Sequence, residues 1–302
     1  MRASEVTAGR PDFWDETITV RGLACRLHCS GRRDGEPLLL LHGWGDTGAT
    51  FRFFIESLGD QWRTVAPDWR GFGDSGRSAG GYWFPDYLAD LDRILDHVSP
   101  DRTVCIVGHS MGGNVAGLYA GVRPERVRAL VLVEGFGMLD ANSDHAPERY
   151  RRWLDELREA STFRRYPSVE AFAERLRSGR RHLDAERARF IAEAWSCPDE
   201  NGMRVLKADP AHRRINPVLY RRAEAEACWR KIRAPVLLVA GGESQFRGLL
   251  DDIWERRDET GVFPNASRAT IPDAGHMIHH EQPERLAAVI DAFLRRNGDI
   301  PH

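Results

Sequence analysis

The stretch Val104–Gly113, with the sequence VCIVGHSMGG, decides the fold class of this chain. Its first four residues form an apolar run typical of a strand that is buried on both faces. The G-x-S-x-G motif that follows, residues 108–112, is typical of a sharp turn from a strand into a helix. Such a turn lifts the hydroxyl of its serine clear of the backbone, so Ser110 is a candidate nucleophile. On the motif alone, the alternative is a tight turn with a surface serine.

Length and composition indicate one globular domain with an insertion. The chain has 302 residues, 42% apolar residues and a formal net charge of −2, so neither a nucleic acid nor an anionic membrane is an expected partner. No apolar run approaches the ~18 residues of a membrane span, and the first residues lack the apolar core of a signal peptide. Five cysteines without zinc-site spacing favour a reducing, cytoplasmic location, although a Cys25–Cys29 disulfide stays open.

Strand-like and helical segments alternate along the chain outside residues 139–230. This alternation predicts an α/β fold with a mostly parallel sheet flanked by helices. The predicted strands are an opening hairpin over 17–29, then 38–41, 64–66, 104–107, 129–133, 235–240 and 268–271; the predicted helices are 51–58, 85–98, 114–122 and 284–295.

Residues 139–230 break this rhythm and contain no strand-like run. We predict a helical cap over this range, inserted between two strands of a core formed by residues 1–138 and 231–302. In this position the cap covers the carboxyl ends of the strands, where ligands bind in open α/β sheets. Three apolar helix faces carry the prediction: Tyr150, Trp153, Leu154 and Leu157; Val169, Phe172 and Leu176; Ile191, Ala194 and Trp195.

A serine hydroxyl needs a base within hydrogen-bond distance, and the base needs an acid that orients it. His276 is the candidate base because it lies on a loop between a short strand and the last helix, after Gly275. His42, His109, His279 and His280 are the competing histidines. We expect His279 and His280 to lie where the final helix begins, His109 to point away from Ser110, and His42 to have a loop-packing role.

Four motifs in order make the chain resemble a capped, esterase-like serine hydrolase of the α/β-hydrolase fold. They are HGWGD at 42–46, DWRGFGDS at 68–75, GHSMGG at 108–113 and GHM at 275–277. The resemblance implies an oxyanion hole made of two backbone N–H groups, here those of Trp44 and Met111. Met111 follows the nucleophile at a helix N-terminus, and Gly43 and Gly45 leave the first loop free to turn its amide inward.

The acid departs from the commonest pattern of that family, which places an aspartate about three residues beyond a glycine after the cap. Here those positions are Ser244 and Gln245, and neither is an anion. Glu134 instead ends the apolar strand before the cap, 24 residues after Ser110, on the strand expected next to it. Haloalkane dehalogenases and zearalenone-type lactonases resemble the chain in placing an acid there. We predict Glu134; Glu243, Asp251 and Asp252 are the alternatives.

The predicted function is hydrolysis of a carboxylic ester or lactone through an acyl-enzyme, with no metal or organic cofactor. A serine nucleophile argues against dehalogenase and epoxide hydrolase chemistry, which need a carboxylate. Trp44, Phe136 and Trp153 are the predicted substrate-binding residues, and they favour an apolar or aromatic small-molecule substrate. The same triad could serve carbon–carbon bond hydrolysis or cofactor-free perhydrolysis, and the fold could be a non-enzymatic binding module. The sequence does not indicate an oligomeric state.

Overall fold

The computed structural model describes residues 11–159 and 161–297. Residues 1–10 and 298–302 of the predicted core, and Ala160 of the predicted cap, lie outside the described residues. The expectation about a signal peptide depends on residues 1–10 and therefore also lies outside them.

The described residues form ten strands, and eight of them make one central sheet. Its spatial order is first, second, fourth, third, fifth, sixth, ninth and tenth. The first two strands form an antiparallel hairpin, the second pairs antiparallel with the fourth, and the remaining pairs are parallel. This topology confirms the predicted mostly parallel sheet. The strands are β1 (Phe13–Val20), β2 (Leu23–Gly31), β3 (Glu36–Leu41), β4 (Trp62–Pro67), β5 (Val104–His109), β6 (Val127–Val133), β7 (Ser196–Pro198), β8 (Arg204–Leu206), β9 (Val236–Gly241) and β10 (Ala266–Ile271).

Helices cover both faces of the sheet. They are α1 (Arg52–Leu58), α2 (Phe84–Val98), α3 (Met111–Val122), α4 (Ala146–Glu156), α5 (Val169–Ser178), α6 (Ala185–Trp195), α7 (Arg222–Trp229), α8 (Arg247–Thr260), α9 (Ile278–Glu281) and α10 (Pro283–Asn297). Buried side chains of α2, α3 and α8 share one apolar cluster with the sheet, and those of α1 and α10 share the other. In β3, Leu39 and Leu41 belong to the first cluster and Leu38 and Leu40 to the second, as the period of two in a strand requires.

The segment between β6 and β9 contains α4 to α7, together with the two-stranded pair of β7 and β8. The expectation that it contains no strand was wrong, because strands of three residues are too short to show an alternating pattern. The last helix of the segment, α7, buries Trp229 in the core, where its ring stacks on Phe263 at 4.8 Å. The boundaries 139 and 230 stay a prediction.

The three predicted helix faces of this segment have different surroundings. Phe172 and Leu176 on α5 pack with Ile191 and Trp195 on α6 in a third apolar cluster. On α4, by contrast, Tyr150 and Leu154 are about half exposed and no residue of the helix is buried. An apolar stripe therefore predicted the helix correctly in each case but did not predict burial.

Helix α8 has no counterpart in the sequence prediction. Its sequence RGLLDDIWERRDET is mostly charged, and it buries only Leu250 and Ile253. Two buried positions do not produce a recognisable apolar stripe, so the sequence pattern does not reveal this helix. In the structure it connects β9 to β10.

Candidate active site

The loop after β5 presents Ser110 in a strained backbone conformation. Ser110 has φ 51° and ψ −117°, and the helix α3 begins at the next residue. The glycines of the motif are required by close packing: a Cβ on Gly108 would lie 2.6 Å from the Gly112 carbonyl oxygen, and one on Gly112 would lie 2.3 Å from the Leu41 carbonyl oxygen. The structure thus gives the physical reason for G-x-S-x-G, since any side chain at either position would force the turn apart.

Ser110, His276 and Glu134 form a continuous chain of hydrogen bonds. The Ser110 Oγ lies 3.0 Å from His276 Nε2, and His276 Nδ1 lies 3.1 Å from Glu134 Oε2. Ser110 follows β5, Glu134 follows β6, and His276 lies on the loop between β10 and α9. The structure therefore brings together the three residues that the sequence predicted as nucleophile, acid and base.

The Glu134 carboxylate is held from both sides and is fully buried. Its Oε1 accepts the Gly241 N–H at 2.7 Å, and its Oε2 accepts the Ser244 hydroxyl at 2.5 Å as well as the His276 ring. Its backbone has φ 56°, a left-handed conformation that costs about 1–3 kcal/mol for a residue other than glycine. Strain of this kind is typical of sites where the position of a side chain matters more than local stability.

The alternative acids point elsewhere. Glu243 lies on the surface and forms ion pairs with Arg181 and His182. Asp251 and Asp252 lie on α8, where they pair with arginines of the exposed surface. None of the three is hydrogen-bonded to a candidate catalytic residue within the described ranges.

The competing histidines have structural partners. The buried His42 ring donates from Nδ1 to the Gly43 carbonyl and accepts the Trp69 N–H at Nε2, and burial lowers its pKa. The His109 ring does not simply point away: its Nε2 donates to the His276 carbonyl oxygen at 2.8 Å. Burial lowers the pKa of His109 well below its usual range, so the ring is neutral and supports the His276 loop.

The loop that carries Trp44 packs directly against the serine turn. A Cβ on Gly43 would lie 3.0 Å from both His109 Nδ1 and the Ser110 Cβ, so only glycine fits without displacement. Neither the Trp44 N–H nor the Met111 N–H forms a hydrogen bond within residues 11–159 and 161–297. Both N–H groups are thus free to bind a ligand, and their role as an oxyanion hole stays a prediction.

The three aromatic residues predicted to bind substrate lie in different surroundings. The Trp44 side chain is 52% exposed and meets Phe72 edge to face at 6.4 Å. Trp153 is partly buried against Trp83, at 6.3 Å between ring centroids. Phe136 is only 1% exposed and packs in the apolar core, so its contact with a substrate stays a prediction that needs movement of neighbouring side chains.

Sequence reasoning missed three residues that the fold brings to the site. Ser244 was rejected as an acid, yet its hydroxyl supports the Glu134 carboxylate. Phe246 contacts the His276 ring, at 4.8 Å between centroids. Asp46 lies in the HGWGD motif and is buried against His279 and His280. Only the motif match signalled Asp46, and no local pattern signals Ser244 or Phe246.

One group of three residues among those described has side chains of the types that bind metal ions. The ligand atoms of Asp46, His279 and His280 lie within 4.8 Å of one another. The Asp46 carboxylate is already hydrogen-bonded to surrounding donors.

Comparison with known proteins identifies the class to which this fold and site belong. A family model described as the alpha/beta hydrolase fold matches residues 36–283. The chain belongs to that family, in agreement with the predicted fold and resemblance. No helix among the described residues combines the length and the apolar character that a bilayer span needs.

Individual relatives are hydrolases of several kinds. The chain is similar to a serine hydrolase-like protein of Danio rerio, with 28% identity over 88% of this chain and 83% of that one. It is also similar to 2-(acetamidomethylene)succinate hydrolase of Mesorhizobium japonicum, with 25% identity over 89% of this chain and 91% of that one. Among solved structures, a thioesterase domain from the curacin biosynthetic pathway has a TM-score of 0.80 and 25% identity, and the match covers 92% of this chain and 99% of that domain.

Proposed function

We propose that the chain is a serine hydrolase that cleaves a carboxylic ester or lactone through an acyl-enzyme. Ser110 is the nucleophile, His276 the general base and acid, and Glu134 the carboxylate that orients His276. The observation that carries the proposal is the pair of hydrogen bonds at 3.0 and 3.1 Å that connects the three side chains. A nucleophile, a base and an orienting acid linked in this way are the arrangement that acyl transfer needs.

The first half of the reaction forms the acyl-enzyme. Glu134 keeps the Nδ1–H of His276 pointed at itself, which leaves Nε2 free to take the Ser110 proton. The serine oxygen attacks the substrate carbonyl carbon, and the Trp44 and Met111 amides hold the oxyanion that forms. The tetrahedral intermediate collapses, the bond to the alkoxide breaks, and His276 gives its proton to the leaving oxygen. Each oxyanion donor of this kind is typically worth about 10²–10³ in kcat.

The second half releases the acid. His276 takes a proton from a water molecule, and the hydroxide attacks the acyl carbon. The bond to Ser110 breaks as His276 returns the proton to the serine oxygen. Glu134 stabilises the imidazolium that exists in both halves.

The name of one relative and the aromatic side chains near the proposed triad both support an acyl substrate. One structural relative is named as a thioesterase domain, and a thioester reacts through the same acyl-enzyme. The exposed Trp44 ring and the Phe246 ring near His276 are apolar surfaces that suit an apolar or aromatic acyl or alcohol group. We also propose a cytoplasmic location, since all five cysteines are free thiols, which suits a reducing compartment.

Covalent labelling tests the proposal directly. We expect a fluorophosphonate probe to modify Ser110, as located by peptide mass spectrometry, and Ser110→Ala to abolish both labelling and p-nitrophenyl ester hydrolysis. The alanine variant should keep the wild-type circular dichroism spectrum because the hydroxyl makes no other essential contact. Ester hydrolysis by Ser110→Ala at the wild-type rate contradicts the assignment. Assays with esters of different chain length, lactones and a β-diketone then define the bond that is cleaved.

A further inference from the structure

The Asp46 carboxylate is a completely buried group with an unusually full set of donors. Its Oδ1 lies 2.8 Å from the Thr47 N–H, 2.7 Å from the Thr50 hydroxyl and 2.7 Å from the Trp195 Nε1–H. Its Oδ2 accepts from His279 Nε2 at 3.0 Å, with His280 Nε2 further away at 3.5 Å. A buried carboxylate is costly unless donors surround it, so this side chain has a defined role in the fold.

The Asp46 carboxylate is ionised at neutral pH. Burial alone would raise the pKa of Asp46, but His280 and the hydrogen bond from His279 lower it well below its usual range. Burial lowers the pKa of His280 to about 3, so this imidazole is neutral near pH 7. Hydrogen bonds to an ionised acceptor are stronger than those between neutral groups, so the donors around Asp46 hold it firmly.

Three separate segments meet at this carboxylate. Asp46 itself lies two residues after Trp44, in the loop that packs on the serine turn. His279 lies three residues after His276, in the one-turn helix that ends the His276 loop. Trp195 is the last residue of α6, in the inserted segment. One side chain thus connects the loop of the proposed oxyanion donor, the loop of the proposed base and the inserted segment.

His109 extends the connection to the serine turn. Its ring lies between those of His276 and His279, with centroid separations of 4.8 and 4.5 Å. Because its Nε2 donates to the His276 carbonyl, the residue before Ser110 contacts the main chain of the base. A displaced His279 would therefore move the surface on which His276 rests.

We propose that Asp46 is a positioning residue for the hydrolysis. It holds the Trp44 amide and the His276 ring in register with Ser110, and it fixes α6 to both through Trp195. The inference rests on the proposed function but concerns a side chain that touches no reacting atom. Both carboxylate oxygens of Asp46 accept hydrogen bonds, so protein donors alone are enough to stabilise the buried anion.

The decisive variant is Asp46→Asn, which keeps the size of the side chain and removes its charge. An amide would place a donor or a weaker acceptor against His279, so the two loops should shift relative to Ser110. A misplacement of about 1 Å can cost about 10²-fold in rate, and we expect kcat for a p-nitrophenyl ester to fall about 10- to 100-fold with little change in KM. Loss of fold alone would instead reduce the active fraction and leave the kcat of the folded molecules unchanged.

The matched control is Asp90→Asn. Asp90 is also a buried carboxylate, but it pairs with Arg70 away from the site, through two contacts of 2.5 Å. We expect it to lose stability while kcat per folded molecule, titrated with the fluorophosphonate, stays within about twofold of wild type. A kcat for Asp46→Asn that matches that of Asp90→Asn overturns the proposal.

A second pair of variants covers the case in which Asp46→Asn does not fold. His279→Gln can place an amide N–H where the imidazole Nε2–H lies, whereas His279→Ala cannot. We expect the glutamine variant to keep most of kcat and the alanine variant to lose about tenfold or more. Equal activity of the two variants overturns the proposal.

The positioning role of Asp46 can fail separately from the nucleophile assignment, and it can also be distinguished from metal binding. If Ser110→Ala keeps wild-type activity, the proposed function is wrong; if it is inactive while Asp46→Asn has wild-type kcat, only the positioning role is wrong. Metal analysis of the purified protein addresses the second possibility. One equivalent of a transition metal that is absent from Asp46→Asn would make the cluster a metal site and overturn the proposal, and its absence supports the hydrogen-bonded network.

Discussion

Glu134 and Asp46 are two buried carboxylates with nearly the same kinds of partner in two regions of the molecule. Each accepts hydrogen bonds from a main-chain N–H, a hydroxyl group and a histidine ring. They differ in the exposure of the histidine and in the partner of its second ring nitrogen. His276 is 28% exposed and presents its second nitrogen to Ser110. His279 is completely buried, and its Nδ1 has no partner in the described part of the chain.

The difference separates a chemical pair from a structural one. A carboxylate–histidine pair can move a proton only when the far ring nitrogen faces a reacting group that solvent or substrate can reach. The Asp46–His279 pair lacks such a group among the described residues. Its hydrogen bond therefore holds the two loops together and does not transfer a proton. A carboxylate–histidine contact therefore indicates catalysis only where the second ring nitrogen faces a reacting group.

Removing the charge of Glu134 is the largest test of this comparison. Glu134→Gln should lower kcat about 10³- to 10⁴-fold with little change in KM, because a neutral amide neither fixes the His276 tautomer nor stabilises the imidazolium. The measurement is steady-state hydrolysis of a p-nitrophenyl ester, corrected for the folded fraction.

Glu243→Gln is the control for that experiment, since Glu243 pairs with Arg181 and His182 on the surface. Its kcat should stay within about twofold of wild type. The opposite pattern, with a large loss in Glu243→Gln and none in Glu134→Gln, would assign the acid to Glu243.

Removing one donor from each carboxylate should show which region each one supports. Ser244→Ala and Trp195→Phe each take one hydrogen bond from a buried anion and should each lower the free energy of unfolding by about 1–3 kcal/mol. Hydrogen exchange should quicken around residues 241–246 in the first variant and in α5 and α6 in the second.

Trp254→Phe provides the matched control for the indole. Trp254 is partly buried on α8, and its ring contacts Arg257 and Arg268 but no carboxylate of the described residues. We expect a change within about 0.5 kcal/mol. If Trp195→Phe is equally mild, its bond to Asp46 does not hold α6.

Acid should weaken the Asp46 cluster through His280. The folded protein keeps this ring neutral down to a pKa of about 3, whereas the unfolded chain protonates it below pH ~6.5. The unfolded state therefore binds more protons, and stability falls as pH falls between these values, by up to about 2 kcal/mol from pH 6.5 to pH 5.

The free energy of unfolding, measured by urea titration at pH 7 and pH 5, tests this expectation. His280→Gln should show a smaller loss over that range than wild type. His97→Gln, which changes an exposed histidine on α2, should keep the wild-type loss. A wild-type pH dependence in His280→Gln would show that another group is responsible.

Much of the candidate site could be predicted because its residues stand at ends of recognisable strands. The apolar run before Gly108 and the apolar run before Glu134 each predict a buried strand, and parallel strands place their carboxyl ends at one edge. His276 could be predicted because its GHM motif follows the serine and the acid along the chain, on a loop between a short strand and the last helix. Ser244 and Phe246 could not, because the loop after β9 has no periodicity and its course depends on what it packs against.

Local pattern thus determined the order along the chain of the strands in the central sheet, most of the helices that cover it, the serine turn and the three residues that the fold brings into hydrogen-bond contact. These are consequences of short-range sterics and of apolar periodicity, both of which are visible in a single chain. Only the tertiary structure decided that α5 and α6 bury their apolar faces while α4 leaves its face exposed. It alone also paired Asp46 with Trp195 and His279, which are 149 and 233 residues away, because such partners are chosen by packing between distant segments.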